Sequence, residues 1–227
     1  MKKKIGILGV ISAASTTQYY KGITDLYNDR YQNYYYTEII IYSLDFQYFT
    51  DLENEYRMEE YMDYILKGVH TLKKAGADIV IMAANSPHSV FDEIRQRALI
   101  PMISIVEATA VRASEQKIKK VLLTGIKYTM QSNFYQNTFK KYEIEVLTPT
   151  EEHQNEINSI IFNELAIRHF SSHSRDRLVH IIDSYDVDSV ILGCTELPLI
   201  LSNEHCNIPV LDTLSIHIHA ILNYAIK

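Results

Sequence analysis

Short apolar runs rich in isoleucine and valine alternate along the chain with longer segments of helical period, and this alternation constrains the fold most. Few polar residues interrupt the runs, as is typical of parallel strands buried on both faces. The longest predicted helix covers 53–74, followed by Ala75 and Gly76 as a stop signal. Alternating strands and helices predict a parallel α/β sheet. The predicted strands are 5–8, 38–42, 78–82, 102–104, 121–124, 143–147, 188–192 and 210–211.

Three segments of the chain resemble three later segments in the same order, which indicates an internal duplication. The duplication predicts two similar α/β halves, each with about four parallel strands flanked by helices. We expect residues 1–103 with 210–227 to form the first half and residues 104–209 to form the second. Ligands bind beyond the carboxyl ends of parallel strands, so we expect the active site in the cleft between the halves. The matching segments are 4–9 with 120–125, 78–85 with 188–195, and 100–103 with 208–211.

Charge and composition exclude several classes of protein. The net charge is −6 and the pI is about 5.8, whereas a nucleic-acid partner would need a basic face. No apolar run approaches the roughly 18 residues of a membrane span, and the N-terminal apolar run is too short for a secretion signal. Two cysteines, Cys194 and Cys206, argue against a disulfide framework and for a reducing cytoplasm.

A short polar cluster follows the third predicted strand of each half, at 84–88 and at 194–198. The backbone N–H groups of a following helix can receive a carboxylate there. The side chains of Asn85, Ser86 and Thr195 can add hydrogen bonds to it. Ordinary helix capping would explain one such cluster. Two clusters at matched positions favour a binding site.

Cys194 follows Gly193 at an expected helix N-terminus, where the helix dipole should lower the pKa of its thiol. A thiolate there could act as a base or as a nucleophile. The alternative is a small buried hydrophobic side chain, the usual fate of a free cysteine. Cys206, in a loop before the last strand, is interpreted as structural.

Metal and nucleotide sites are not supported by the sequence. His205 and Cys206 are adjacent, which is poor spacing for zinc. His217 and His219 lie two apart on a predicted helix and should point to different sides. No Gly-x-Gly-x-x-Gly or Walker A pattern is present. We therefore expect no metal site and no bound nucleotide.

The residues of the two clusters resemble the aspartate/glutamate racemase family. The family signature Gly-Cys-Thr-Glu-Leu is intact at 193–197, and its Cys-Asn-Thr-x-His signature is present as Ala-Asn-Ser-Pro-His at 84–88. The opening Ser12-x-x-Ser-Thr-x-x-Tyr-Tyr is similar to the branch with broad-specificity and L-selective members. The resemblance covers essentially the whole chain. It implies two pseudo-symmetric α/β domains, cofactor-independent chemistry and a homodimer.

The resemblance also implies roles for individual residues. One cysteine from each half faces the substrate Cα in the family, which makes Cys194 the catalytic thiol here. Family positions that hold substrate carboxylate oxygens correspond to Asn85, Ser86, Thr195 and Thr129, and Ser12 is placed with this binding group. His88 and Glu196 are candidates for a supporting acid or base.

Two departures from the family pattern keep alternatives open. The first catalytic cysteine is Ala84, which has no proton to give, and a basic residue near 165–166 is replaced by apolar residues. We therefore expect a racemase of aspartate or glutamate, with broad specificity as an option. The alternatives are a single-cysteine lyase similar to the arylmalonate decarboxylases, another one-sided proton-transfer enzyme, and a non-catalytic protein that binds a carboxylate or dicarboxylate.

Overall fold

The computed structural model describes residues 2–9 and 13–227 and divides them into two compact units. Unit 1 comprises the described residues up to Ser104 together with His217–Lys227, and unit 2 is Ile105–Ile216. The expected division placed 210–227 with the first half. Residues 210–216 belong instead to unit 2, because the last strand pairs with a strand of that unit.

Unit 1 contains a three-stranded parallel sheet in the order β2-β1-β3. The predicted strand at 102–104 is wrong, because only Met102 forms an isolated bridge, to Val80 of β3. A 3-10 helix, Ser86–Val90, follows β3. The elements are β1 (Ile5–Gly9), α1 (Ala13–Tyr31), β2 (Ile39–Ser43), α2 (Phe46–Asn54), α3 (Met58–Lys74), β3 (Ile79–Met82) and α4 (Phe91–Arg97).

The helix predicted at 53–74 is divided into α2 and α3. Tyr56 lies between them with a φ of 54°, a left-handed conformation that interrupts the helical hydrogen bonds. The end of α3 at Lys74 agrees with the sequence, and Gly76 follows with a φ of 96°. The longest described helix is α1, with 19 residues.

Unit 2 contains a four-stranded parallel sheet in the order β5-β4-β6-β7. Two 3-10 helices, Leu165–Ile167 and Leu197–Leu199, follow α8 and β6. The last helix begins in unit 2 and continues into unit 1. The elements are α5 (Ile105–Glu115), β4 (Lys120–Thr124), α6 (Lys127–Gln131), α7 (Phe134–Lys140), β5 (Glu145–Leu147), α8 (Glu151–Asn163), α9 (Ser172–Asp183), β6 (Ser189–Leu192), β7 (Val210–Asp212) and α10 (Thr213–Ala225).

The same backbone contact recurs in both units at the positions that the sequence repeat matches. Val80 N donates to Pro101 O over 3.0 Å in unit 1, and Val190 N donates to Pro209 O over 3.0 Å in unit 2. In unit 2 the chain then continues as β7, whereas in unit 1 only a single bridge forms. Strands β1, β3 and β6 are completely buried, which explains why their sequences are almost entirely apolar. Among the described helices, none is long and apolar enough to cross a bilayer.

Candidate active site

The carboxyl ends of β4 and β6 approach each other closely in unit 2 because glycine follows each strand. Gly193 N donates to Thr124 O over 2.7 Å. A Cβ atom at Gly193 would lie 2.7 Å from Thr124 O, and one at Gly125 would lie 2.9 Å from Gly193 O. Both contacts are to backbone atoms, which cannot move aside easily. Glycine is therefore required for the two strand ends to lie side by side.

Thr129 in α6 lies against these glycines. Its Cγ2 atom is 3.5 Å from the position that a Cβ would take at Gly125 and at Gly193. The side chain is fully buried, and its hydroxyl has no hydrogen-bond partner within the described part of the chain. A buried hydroxyl without a partner is costly, so Thr129 offers an unused hydrogen-bonding group beside the strand ends.

Cys194 lies in the short segment between β6 and the 3-10 helix Leu197–Leu199. Its Sγ donates to Glu196 Oε2 over 3.0 Å, and Thr195 Oγ1 donates to the same oxygen over 3.0 Å. All three residues are buried. One carboxylate oxygen of Glu196 therefore accepts hydrogen bonds from both the Cys194 thiol and the Thr195 hydroxyl.

The expectation that the pKa of Cys194 is lowered is wrong. Burial, the charge of Glu196 and the hydrogen bond to Glu196 raise the pKa of the thiol well above its ordinary value. Backbone N–H groups of Thr195 and Glu196 act in the opposite direction but are outweighed. The helix that follows is a 3-10 turn of three residues, so its dipole is weak. The thiol consequently carries its proton at neutral pH.

The matching segment of unit 1 lies at the end of β3. Ala84, Asn85, Ser86 and His88 are all nearly inaccessible to solvent. The carbonyl of Ala84 accepts a hydrogen bond of 3.0 Å from His88 Nδ1, so the proton of the neutral ring lies on Nδ1. Burial, together with the nearby His217, lowers the pKa of His88 to about 3, so the ring is uncharged at neutral pH.

His217 of α10 is a further buried histidine of unit 1 that the sequence did not single out as functional. Its Nδ1 accepts from the hydroxyl of Tyr19 over 2.8 Å, and its Nε2 donates to Ile103 O over 3.0 Å. Its ring meets that of His88 edge-on, with centroids 6.3 Å apart. His219 is exposed, so the two histidines of α10 point to different sides as predicted. A sequence signal for this contact is that Tyr19 recurs as Tyr135 at the same spacing as segment 4–9 recurs as 120–125.

The predicted site residues fall into two groups. Asn85, Ser86 and His88 lie together in unit 1, after β3. A second group, Cys194 with Thr195, Glu196 and Thr129, lies in unit 2 at the ends of β4 and β6. Ser12 lies outside the described residues. Within the described ranges, no group of three or more His, Cys, Asp or Glu side chains could hold a metal ion.

Leu165 is the first residue of the apolar pair 165–166, which replaces a basic residue of the family pattern. Its side chain is 2% exposed and packs in the core of unit 2. It therefore stabilises the unit and offers no charge to a ligand.

Comparison with known proteins gives the same family as the strand-end motifs. The family model for Asp/Glu/Hydantoin racemase matches residues 8–221. The chain belongs to this family. Membership places it among the isomerases that act on amino acids.

Individual relatives of this racemase cover nearly the whole chain. A broad-specificity amino-acid racemase of Bacillus subtilis is 27% identical over 214 residues, which is 92% of each chain. A solved structure of an aspartate racemase homologue from Pyrococcus horikoshii has a TM-score of 0.88 at 35% identity and covers 99% of this chain and 100% of its own. A proposed Asp/Glu racemase from Yersinia pestis has a TM-score of 0.91 at 32% identity, with the same coverage. These matches confirm the predicted α/β architecture with two parallel sheets.

Proposed function

We propose that the chain is a cofactor-independent racemase that uses the Cys194 thiol to exchange the proton on the Cα of an amino acid. The 3.0 Å hydrogen bond from Cys194 Sγ to Glu196 Oε2 carries this proposal, because it joins a thiol to a carboxylate that can take its proton. Aspartate and glutamate are the proposed substrates, with tolerance of other side chains. The broad specificity named for the Bacillus subtilis relative and the apolar Leu165 support that tolerance.

The proposed reaction begins with transfer of the Cys194 proton to the carboxylate of Glu196, which leaves a thiolate and a carboxylic acid. The thiolate then takes the proton from Cα: the C–H bond breaks, an S–H bond forms, and the electron pair remains on the substrate next to its carboxylate. A thiol of raised pKa gives a strongly basic thiolate, which suits a weakly acidic C–H bond. Return of the proton from the thiol restores the original enantiomer.

Inversion requires a proton donor at the opposite face of Cα. Ala84 has no proton to give, so we propose that water supplies it. The hydroxide that remains is neutralised through solvent by the proton held on Glu196, which restores the Glu196 carboxylate and the Cys194 thiol. The hydroxyl of Thr129 and the side chains of Asn85 and Ser86 are proposed to hold the substrate carboxylates, since each can donate a hydrogen bond. The hydroxyl of Thr195 is proposed to join them by turning its hydrogen from Glu196 to the substrate. Ser12 and a homodimeric assembly, both implied by the resemblance, belong to the same proposal.

A single-thiol lyase is the second candidate, favoured by the protonated state of Cys194 and by the alanine at position 84. Such an enzyme needs one acid to protonate the carbanion that remains after carbon dioxide leaves. A buried thiol that keeps its proton at neutral pH can supply it. This reaction needs no second acid.

Incubation with a panel of amino acids in heavy water separates the candidates. Exchange at Cα is followed by nuclear magnetic resonance, and inversion by chiral chromatography. Exchange with inversion supports the racemase, and exchange with retention supports one-sided proton transfer. Binding of acidic amino acids without any exchange would contradict the racemase, and release of carbon dioxide from a malonate derivative would favour the lyase.

A further inference from the structure

Glu53 is a buried carboxyl of unit 1 that the proposed reaction does not use. It lies at the end of α2, is 5% exposed, and follows the buried Leu52. Burial of a carboxyl costs free energy unless polar groups surround it. The hydroxyl of Tyr61, from α3, donates to Glu53 Oε1 over 2.8 Å. This bond leaves the second oxygen of the carboxyl for another partner.

Ser86 is the second polar neighbour of this carboxyl. It is the first residue of the 3-10 helix after β3, and it is 1% exposed. Its hydroxyl interacts with the carboxyl of Glu53, yet Oγ makes no hydrogen bond of regular geometry to any of the described residues. A buried hydroxyl in this state can turn its hydrogen either toward Glu53 or toward a ligand.

We propose that Glu53 is a positioning residue for Ser86, and that a proton on Glu53 frees the Ser86 hydroxyl to donate to a substrate carboxylate. This inference rests on the proposed function, because it takes a carboxylate as the ligand. Binding of the substrate is then coupled to the uptake of one proton by a residue that does not touch the substrate.

The coupling follows from the hydrogen-bonding capacity of a carboxyl group. An ionised carboxylate only accepts, so it draws the single hydrogen of Ser86 to itself. A protonated carboxyl can donate its O–H to Ser86 Oγ, and the Ser86 hydrogen then points to the ligand. Repulsion between the ligand and an ionised Glu53 acts in the same direction. The proton comes from solvent, and the new O–H bond forms on Glu53.

The surroundings of Glu53 favour the protonated form. Burial raises the pKa of Glu53, and the hydroxyls of Ser86 and Tyr61 offset part of that rise. Among the described residues, Ser86 in the 3-10 helix after β3 and Tyr61 in α3 are the side chains that affect the pKa of Glu53. Neither side chain is charged. His88, in the same 3-10 helix, is neutral because its pKa is about 3. Arg57 at the start of α3 is bound to two exposed glutamates.

Calorimetric titration with succinate in buffers of different ionisation enthalpy tests the coupling, because the slope of the observed heat gives the protons taken up. The wild-type protein should take up protons, and its affinity should fall by up to about tenfold per pH unit as Glu53 ionises. Glu53→Gln should still bind succinate but take up fewer protons and lose most of this pH dependence. Tyr61→Phe is the matched control, because it keeps the carboxyl and should keep the coupling, displaced to higher pH since the Tyr61 hydroxyl no longer lowers the pKa of Glu53. Ser86→Ala should weaken binding and lose the coupling.

Equal proton uptake by the wild-type protein and by folded Glu53→Gln would overturn the inference, and so would wild-type binding without proton uptake. Failure of the wild-type protein to bind succinate at any pH would also overturn the inference. The proposed function is tested separately. It fails if Cα exchange in heavy water is absent while the protein still binds succinate with uptake of a proton. Circular dichroism of each variant shows that the fold is retained.

Discussion

The thiol of Cys194 donates a hydrogen bond of 3.0 Å to Oε2 of Glu196, two residues further along the chain. The same carboxylate has two opposing effects on the thiol. Its charge raises the pKa of Cys194 and so keeps the thiol protonated, while its oxygen provides the acceptor to which the proton can go. Removal of the charge and removal of the thiol should therefore have different consequences.

Cys194→Ser is expected to reduce Cα exchange by about 10²- to 10⁴-fold, the usual contribution of a positioned acid or base. The hydroxyl of serine is a much weaker acid than a thiol, although it can keep the hydrogen bond to Glu196. Cys206→Ser is the matched control, because Cys206 is the other free cysteine and is only partly buried. Near wild-type exchange in Cys194→Ser would rule out the thiol mechanism.

Glu196→Gln is expected to increase the rate at which iodoacetamide alkylates Cys194 at pH 8, measured in a Cys206→Ser background. Loss of the negative charge lowers the pKa of the thiol, and each unit of that decrease raises the thiolate fraction about tenfold. Cα exchange should fall in the same variant, since the acceptor for the thiol proton is gone. Slower alkylation would contradict the assigned role of the charge.

Acid should destabilise unit 1 through His88 and His217, whose folded-state pKa is lowered to about 3 by burial. Below pH 6.5 the unfolded chain binds protons that the folded chain does not, so stability falls from pH 6.5 toward 3. Each histidine contributes a loss of roughly 1 kcal/mol per pH unit. His217→Gln should be less stable at pH 7, because the bonds to Tyr19 and Ile103 are changed, but its stability should fall less steeply with acid.

Urea unfolding between pH 7 and pH 4 measures this difference, with the exposed His219→Gln on the same helix as the control. Buried carboxyls such as Glu53 and Asp212 are present in all of these proteins, so their contributions cancel in the comparison. Parallel curves for His217→Gln and wild type would show that His217 is not the source of the acid sensitivity.

Ala84→Cys is expected to add a second thiol at the position that matches Cys194 in the repeat. Ala84 is 3% exposed and packs in the core of unit 1, so the added sulfur should cost about 1 kcal/mol or more of stability. If absence of this thiol limits inversion, racemisation of aspartate or glutamate should rise relative to Cα exchange, as judged by chiral chromatography. A folded variant with no gain on either amino acid would favour the lyase.

Gly193→Ala is expected to destabilise the protein more than Gly22→Ala, although both added methyl groups would collide. At Gly193 the neighbour is the backbone oxygen of Thr124, at 2.7 Å, which is fixed by the sheet. At Gly22 it is the terminal Cδ1 of Ile218, at 2.5 Å, which can rotate away. Alanine also has a helix propensity about 1 kcal/mol better than glycine in α1. Thermal unfolding of the two variants tests this order.

Much of the fold could be predicted because local sequence determines it. Strands such as β1 and β3 are continuous apolar runs, and Gly76 marks the end of α3 as expected. The separation of α2 from α3 was not predictable, because Tyr56 adopts a left-handed conformation that its residue type rarely takes. Met102 belongs to a short apolar run that predicts a strand, but in unit 1 the chain forms only one bridge there.

The candidate site was predictable at the level of residues but not of electrostatics. Cys194 and Glu196 could be named from the strand-end motif. The pKa of the thiol depends on burial and on the direction in which the Glu196 side chain turns, neither of which a motif records. The contact between Tyr19 and His217 joins residues 198 positions apart, so no local pattern could show it.

The division of the chain into units has a consequence for its synthesis. Unit 2 is one continuous stretch, whereas unit 1 takes its last part from His217–Lys227. A chain that emerges from the ribosome can complete unit 2 while unit 1 still lacks its final helical segment. In that segment His217 accepts a hydrogen bond from Tyr19, and Ala225 O accepts one from Lys3 N. The half that is translated first is therefore the half that is finished last.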